Sequence, residues 1–306
     1  MKVLYIGGMD RSGSTLLGRL LGNVSGCINL AEADVIWERW NSRSVRCGCG
    51  AIFAECGFWG AVRRQVFESD GNEIIDAVVQ FRSQSRRWGR TDESNRESSA
   101  AMTAADYRRY LGKVYAAVSE LSGAALIIDT SKRISYARSL AAAPGVDLRF
   151  LHLIRDSRAV AFSQQRRKRN PGFVDQNTYM SPTSWTKSAR QWNAVNAALP
   201  LGCPGNRSMR MRYEDLVIDP LNALTQIFEF LDEPVPPLEF LHRQPLHLGR
   251  EHTVSGNPDR FNPEIIIRPD MEWREKMPVG AKAFVTAATF PLLAFYGYLQ
   301  SPNPRK

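Results

Sequence analysis

The chain opens on a four-residue apolar run, Val3-Leu4-Tyr5-Ile6, and comparable runs recur at 28–30, 125–128, 148–154 and 209–211. Most are nearly continuous instead of alternating, the pattern of a strand covered on both faces. Between them apolar positions return at helical spacing: Leu16, Leu17, Leu20 and Leu21; Tyr107, Tyr110, Leu111, Val114, Tyr115 and Val118; and 224–231 around Phe228. Strands separated by helices predict an α/β fold, a parallel sheet flanked by helices. Two stretches depart from this rhythm. From Trp37 to about Ala105 the chain holds a cysteine cluster, a helical pattern at 74–81 and a polar run from Arg82 to Ser99, so an inserted helical region over about 37–105 is expected within one domain spanning 1–306. The polar run reads as a solvated or mobile surface, with a lid over a pocket as the alternative. The apolar segment from Ala283 to Tyr298 is short for a membrane span and contains Pro291, which predicts a buried C-terminal helix with a bent or broken end.

The first strand runs into Gly7-Gly8-Met9-Asp10-Arg11-Ser12-Gly13-Ser14-Thr15 and then a helix. Such a loop aims unpaired backbone N–H groups at one point, with the positive end of the helix behind them and hydroxyls beside them, and suits a phosphate or sulfate. A nucleoside-triphosphate loop carries a lysine just before its hydroxyl residue. Here that slot is Ser14 and the cation is Arg11, which argues against the usual lysine–nucleotide–magnesium arrangement. A second anion site is predicted where the run 148–154 ends in Arg155-Asp156-Ser157-Arg158-Ala159-Val160: Arg155 stands at the C-terminal edge of a strand, where α/β proteins bind ligands, and Asp156 or Ser157 can cap the next helix. Ser163 shares a ligand with Arg155 only if the intervening turn folds back. An internal ion pair is the alternative for Arg155 and Arg158. The run Arg166-Arg167-Lys168-Arg169 reads first as a solvated helix end and second as a patch attracting an anionic acceptor.

Arg-Ser-Gly-Ser-Thr-Leu-Leu resembles the 5′-phosphosulfate loop of sulfotransferases that use 3′-phosphoadenosine 5′-phosphosulfate, PAPS. Ile-Arg-Asp-x-Arg-Ala-Val, with Ser163 eight residues after Arg155, resembles their 3′-phosphate motif. The match is to bacterial members, with similarity to protein-tyrosine and carbohydrate sulfotransferases. It implies that Arg11, Ser12, Gly13, Ser14 and Thr15 bind the 5′ end and that Arg155 and Ser163 bind the 3′-phosphate. Tyr213, in a Tyr-Glu-Asp-Leu segment, would approach the nucleotide, although a buried tyrosine at a strand end reads nearly as well. Ser255, Gly256 and Arg260 would lie in a loop that closes over the 3′-phosphate. Sulfuryl transfer needs a base and cations beside the bridging oxygen. Glu32 follows the second apolar run at the same sheet edge and matches the place of the catalytic glutamate of protein-tyrosine sulfotransferases, many cytosolic sulfotransferases using histidine instead; Arg11 is the loop cation and Lys132, at the end of the third apolar run, the second, a surface lysine being its other reading. His247 and His252 are rival bases, and His152 is expected in the core. Asp10 is a departure, since the family more often has proline or a neutral residue there, and its carboxylate is expected to point away from the anion.

The expected activity is sulfuryl transfer from PAPS, without a metal, to a hydroxyl, or second to that an amine, of a small molecule, glycan or lipid. Two rivals stand beside it: an ATP-dependent small-molecule kinase, and a non-catalytic basic protein binding nucleic acid or membrane. The net charge of +9 over 306 residues favours polyanionic partners without choosing among them. Nothing at the start resembles a signal peptide, and the five cysteines, an odd number, fit a reducing compartment, so a cytoplasmic location is expected. Cys47, Cys49 and Cys56 form a cluster one ligand short of a structural zinc set, and no nearby His or Cys supplies the fourth. Tight packing of a glycine-rich turn is expected ahead of metal or a redox pair. Similar turns ending in Phe-Trp occur in bacterial relatives of the sulfotransferases.

Overall fold

A computed structural model describes residues 1–67, 71–87, 102–175, 177–202 and 207–299. Five strands, β1 (Lys2–Gly7), β2 (Cys27–Ala31), β3 (Leu126–Asp129), β4 (Asp147–Ile154) and β5 (Ser208–Arg212), form one sheet in the order β2-β3-β1-β4-β5. Every neighbouring pair is parallel. The apolar runs are continuous because both faces are covered. Val3 and Tyr5 join a core with Trp37, Trp59, Tyr107 and Tyr115, whereas Leu4 and Ile6 join Leu17, Leu20, Leu224 and Phe228 on the other side. Side chains on a strand alternate faces, so one four-residue run feeds both layers.

Helix α1 (Ser14–Gly22) begins directly after Gly13, whose φ of 99° turns the chain out of β1. Helix α2 (Ala104–Ser122) starts on a reciprocal cap between Thr103 and Asp106 and stops at Gly123, where φ is 67°. Asp156 accepts from the Arg158 N–H at the start of α3 (Ser157–Ser163). The chain direction reverses from one side of β1 to the other between β3 and β4, so the C-terminal ends of β1, β3 and β4 open onto a crevice suited to a ligand.

Three expectations change. The C-terminal helix α4 (Val279–Phe295) runs unbroken through Pro291 and is not buried: Val285, Thr289 and Leu293 are covered, but Phe284, Phe290 and Phe295 are exposed. Among the described residues no helix is long and apolar enough to cross a membrane. The first residue of the polar run departs from a solvated face: Arg82 is buried and pairs with Asp34 at 3.9 Å and Glu38 at 3.7 Å, while Ser83 beside it is exposed. The rest of it, from residue 88 on, lies outside the described residues. Finally, the basic run is not a helix end. Helix α3 stops at Ser163, and Lys168–Arg169 pairs antiparallel with Tyr179–Met180.

Candidate active site

A cleft of about 1010 Å³ lies at the C-terminal edge of the sheet. That is the upper end of the roughly 300–1,000 Å³ usual for small-molecule sites and leaves room for two reactants. Its walls include Arg11, Gly13, Ser14, Thr15, Glu32, Lys132, Arg155, Ser163, Tyr213, Ser255 and Gly256. Thus eleven of the residues read from the sequence line one cavity. Arg11 and Arg155 meet directly, since Arg155 Nη1 donates to the Arg11 carbonyl oxygen at 3.0 Å.

Backbone strain marks the same edge. Among the described residues four non-glycines have positive φ, and three of them, Arg11 (72°), Ala31 (56°) and Lys132 (66°), sit just beyond or at the ends of β1, β2 and β3. Each such conformation costs about 1–2 kcal/mol, and strain of this kind collects where side chains must be aimed. Gly13 has no alternative residue: a Cβ there would stand 2.2 Å from Tyr213 Cδ2, with φ already at 99°. The Tyr213 ring packs over the loop, and the Arg155 guanidinium lies 4.3 Å from its centroid. Arg155 is further held by Asp270 at 2.8 Å.

Lys132 Nζ donates to Glu32 Oε1 at 2.6 Å and to Asp10 Oδ1 at 3.1 Å. Burial opposes the lysine charge, but the two carboxylates outweigh it and raise its pKa. The Lys132 ammonium in turn holds the Asp10 carboxyl below its ordinary range. Asp10 therefore lines the cleft and is neutralised there, contrary to the expectation that it would turn away. The conformation of Lys132 is set by the turn before it: Asp129 accepts from the Ser131 N–H at 2.7 Å, from the Ser131 hydroxyl and from the Tyr115 hydroxyl, while Ser131 Oγ accepts from the Asp34 N–H at 2.9 Å.

Burial pushes Asp129 up to about 7 from an ordinary 3.8, against the hydrogen bonds from Ser131 and Tyr115 that favour its charge. Between those values the folded protein holds a proton that the unfolded chain has lost, so stability falls as pH rises through that window and then levels. Asp129→Asn is expected to flatten that slope in urea titrations made between about pH 4 and pH 7.5; an unchanged slope would show that Asp129 does not titrate there.

Several residues lie elsewhere than the sequence suggested. Arg260 is not in the cleft wall. Its guanidinium is buried behind it, donating to the Thr253 carbonyl at 2.9 Å, Thr253 Oγ1 at 3.0 Å and the Arg46 carbonyl at 3.0 Å. Ser12 is 1% exposed, beneath the loop and outside the wall. Ser255 and Gly256 stand beside the end of β2: Glu32 N–H donates to the Ser255 carbonyl at 3.4 Å, and the Cβ position of Gly256 is 4.0 Å from Glu32 Oε1. His247 is outside the cleft wall, exposed and paired with Glu264 at 3.4 Å. His252 faces the cysteine cluster, with Nδ1 3.4 Å from Cys56 Sγ. His152 is in the core as expected, its ring nitrogen 2.9 Å from Asn196 Oδ1, and burial drops its pKa to about 4.

Further cations complete the wall. Arg166 and Lys168 line the cleft although their run reads first as a helix end, and Arg268, which no motif in the sequence marks, joins them. Arg19 was also missed. It is 2% exposed and donates to the carbonyls of Asp259 at 3.0 Å and Asn262 at 2.6 Å, tying helix α1 to the segment that carries Ser255.

A parallel sheet with a strained cationic loop at its C-terminal edge and an arginine-lined cleft defines an α/β protein of the P-loop-like kind. A model of the sulfotransferase family matches residues 4–237, and the chain belongs to that family. Among solved structures, the sulfotransferase domain from the Synechococcus PCC 7002 olefin synthase is similar over 98% of this chain and 96% of that one, with a TM-score of 0.53 and 20% identity. The sulfotransferase domain from the curacin biosynthetic pathway is similar over 93% of this chain and 95% of that one, with a TM-score of 0.51 and 16% identity. At these identities the likeness is one of fold. No curated protein matches the chain in sequence.

Proposed function

We propose that the chain transfers a sulfuryl group from PAPS to a hydroxyl, or second to that an amine, of a small-molecule, glycan or lipid acceptor. The observation that carries this reading is the meeting of Arg11 and Arg155 in one cleft. Family membership alone gives the reaction class; this pairing supports a donor with an anionic group at each end. Arg11, Gly13, Ser14 and Thr15 would hold the 5′-phosphosulfate, with the free N–H groups of the first turn of α1 pointing at it and Ser12 supporting the loop from below. Arg155 and Ser163 would hold the 3′-phosphate, Arg155 being oriented by the Arg11 carbonyl and the Tyr213 ring. Asp270 then marks the position on Arg155 that the phosphate takes over.

In this reading the acceptor oxygen attacks sulfur in line with the bridging oxygen of the donor. The sulfur–oxygen bond to the phosphate breaks, its electron pair stays on adenosine 3′,5′-bisphosphate, and the acceptor proton passes to Glu32. Lys132 and Arg11 stabilise the charge that gathers on the bridging oxygen. Arg166 and Lys168 also line the cleft but are paired with Glu272 and Asp259, so they do not by themselves select an anionic acceptor.

The test is transfer from PAPS to a panel of hydroxylated and amino acceptors, read as the mass gain of one SO3 group, with ATP and magnesium as the control donor. Sulfated products from PAPS alone are expected. Phosphorylated products formed only with ATP and magnesium would overturn the reading in favour of a kinase.

A further inference from the structure

The cysteine cluster lies apart from the reaction cleft, and folding supplies what the local sequence lacks. His252, 196 positions from Cys56 and 205 from Cys47, places Nδ1 3.4 Å from Cys56 Sγ and 3.8 Å from Cys47 Sγ. Cys49 Sγ is 3.8 Å from Cys56 Sγ. All four donor atoms lie within 4.8 Å of one another. We propose that Cys47, Cys49, Cys56 and His252 form a structural zinc site.

The distances fit a tetrahedral metal site. Zinc bonds of about 2.3 Å to sulfur and about 2.0–2.1 Å to nitrogen in a tetrahedron require edges of about 3.8 Å between sulfurs and about 3.5 Å between sulfur and nitrogen. The three measured separations sit close to those edges. The donor set, three sulfurs and one imidazole with no open position, is that of a closed structural site and suits zinc better than the oxygen-seeking cations.

The surroundings are built for the same task. Cys47 is fully buried and Cys56 is 2% exposed. The turn between the first two ligands and Ala51 closes through Gly50, whose φ is 98° and whose N–H donates to the Cys47 carbonyl at 2.8 Å. The His252 ring is stacked on Phe58 with centroids 4.7 Å apart and planes 17° from parallel, and its carbonyl accepts from the Trp59 indole N–H at 2.9 Å. The stacking on Phe58 restricts the ring while Nδ1 faces the sulfurs, and the Trp59 bond holds the backbone that carries it. Three thiolates and zinc carry one net negative charge, and arginines surround the turn: Arg46 donates to the Gly50 carbonyl at 3.1 Å, Arg250 to the Cys49 carbonyl at 3.4 Å, and Arg260 to the Arg46 carbonyl at 3.0 Å.

The site has a consequence for the cleft. His252 is followed by Thr253, whose carbonyl accepts from Gly48 N–H at 3.0 Å, then by Val254, which donates to Leu30, and Ser255, which bridges to Ala31. Zinc at the cluster therefore staples the turn at 46–59 to the segment that forms the cleft wall beside Glu32. Losing the metal removes one tie on that wall, while the bonds from Gly48 to Thr253 and from Val254 to Leu30 remain.

The test is elemental analysis of the purified chain together with cobalt substitution. One zinc per chain is expected, and cobalt should give the intense visible bands of a tetrahedral thiolate site. Cys49→Ser, at the most exposed of the three cysteines, and His252→Asn should each lose most of the metal and shift the cobalt spectrum, and chelation of zinc should lower the melting temperature. Zinc content is measured without any donor or acceptor, so it does not depend on the proposed transfer reaction. A reduced, folded chain that takes up neither metal, or one in which both variants retain full zinc, would overturn the site; so would a Cys49–Cys56 disulfide that persists in place of metal binding under mild reduction.

Discussion

Glu32→Gln is expected to reduce turnover by about 10²–10⁴-fold, the range for removal of a positioned general base, while the affinity for adenosine 3′,5′-bisphosphate stays within about twofold. The substitution keeps the shape of the side chain and its ability to accept from Lys132, so the bond at 2.6 Å survives and only proton acceptance is lost. Glu32 also stands beside Ser255 and Gly256. Initial rates with saturating PAPS, paired with calorimetry of the bisphosphate, separate the two effects. Normal turnover would remove Glu32 from the base role, and a parallel loss of nucleotide affinity would make it a scaffold residue.

Lys132→Met keeps the aliphatic stem and deletes the charge, and is expected to lower kcat by about 10²–10³-fold, with a smaller change in the KM for donor, because its role is to meet charge that appears only in the transition state. The variant also leaves Asp10 and Glu32 without their shared partner. Asp10 is 75% exposed, so solvent screens its part of that change, and the effect on folding should be small beside the effect on rate. Turnover within about twofold of the parent would show instead that the lysine only bridges two acids.

Much of the fold was legible because burial on both faces writes itself into composition: a strand such as Val3–Ile6 has no solvent side on which to place a polar residue. The donor loop was legible for a related reason, since Gly13 must be glycine under the Tyr213 ring and the hydroxyls must follow it at the start of α1. What failed was whatever depends on distance along the chain. His252 completes the cysteine set from 196 positions away, and no local spacing carries that information. Arg260 sits in a motif with Ser255 and Gly256, yet its side chain turns behind the wall to satisfy Thr253 and Arg46. Arg166 and Lys168 reach the cleft because α3 stops at Ser163 and a two-residue strand follows, a change of direction that a run of like charges does not announce. In α4, Pro291 reads as a breaker, but the helix continues through it.

In the proposed reaction Arg11 and Arg155 grip opposite ends of one doubly phosphorylated adenosine. Calorimetric titration of the protein with adenosine 3′,5′-bisphosphate, set against adenosine 5′-monophosphate and against ATP with magnesium, tests it most directly. One charge-assisted hydrogen-bonding site for the 3′-phosphate is worth about 1.5–3 kcal/mol, so saturable bisphosphate binding at least roughly tenfold tighter than either competitor is predicted. Equal or tighter binding of ATP with magnesium, or bisphosphate binding no better than that of the monophosphate, would contradict it.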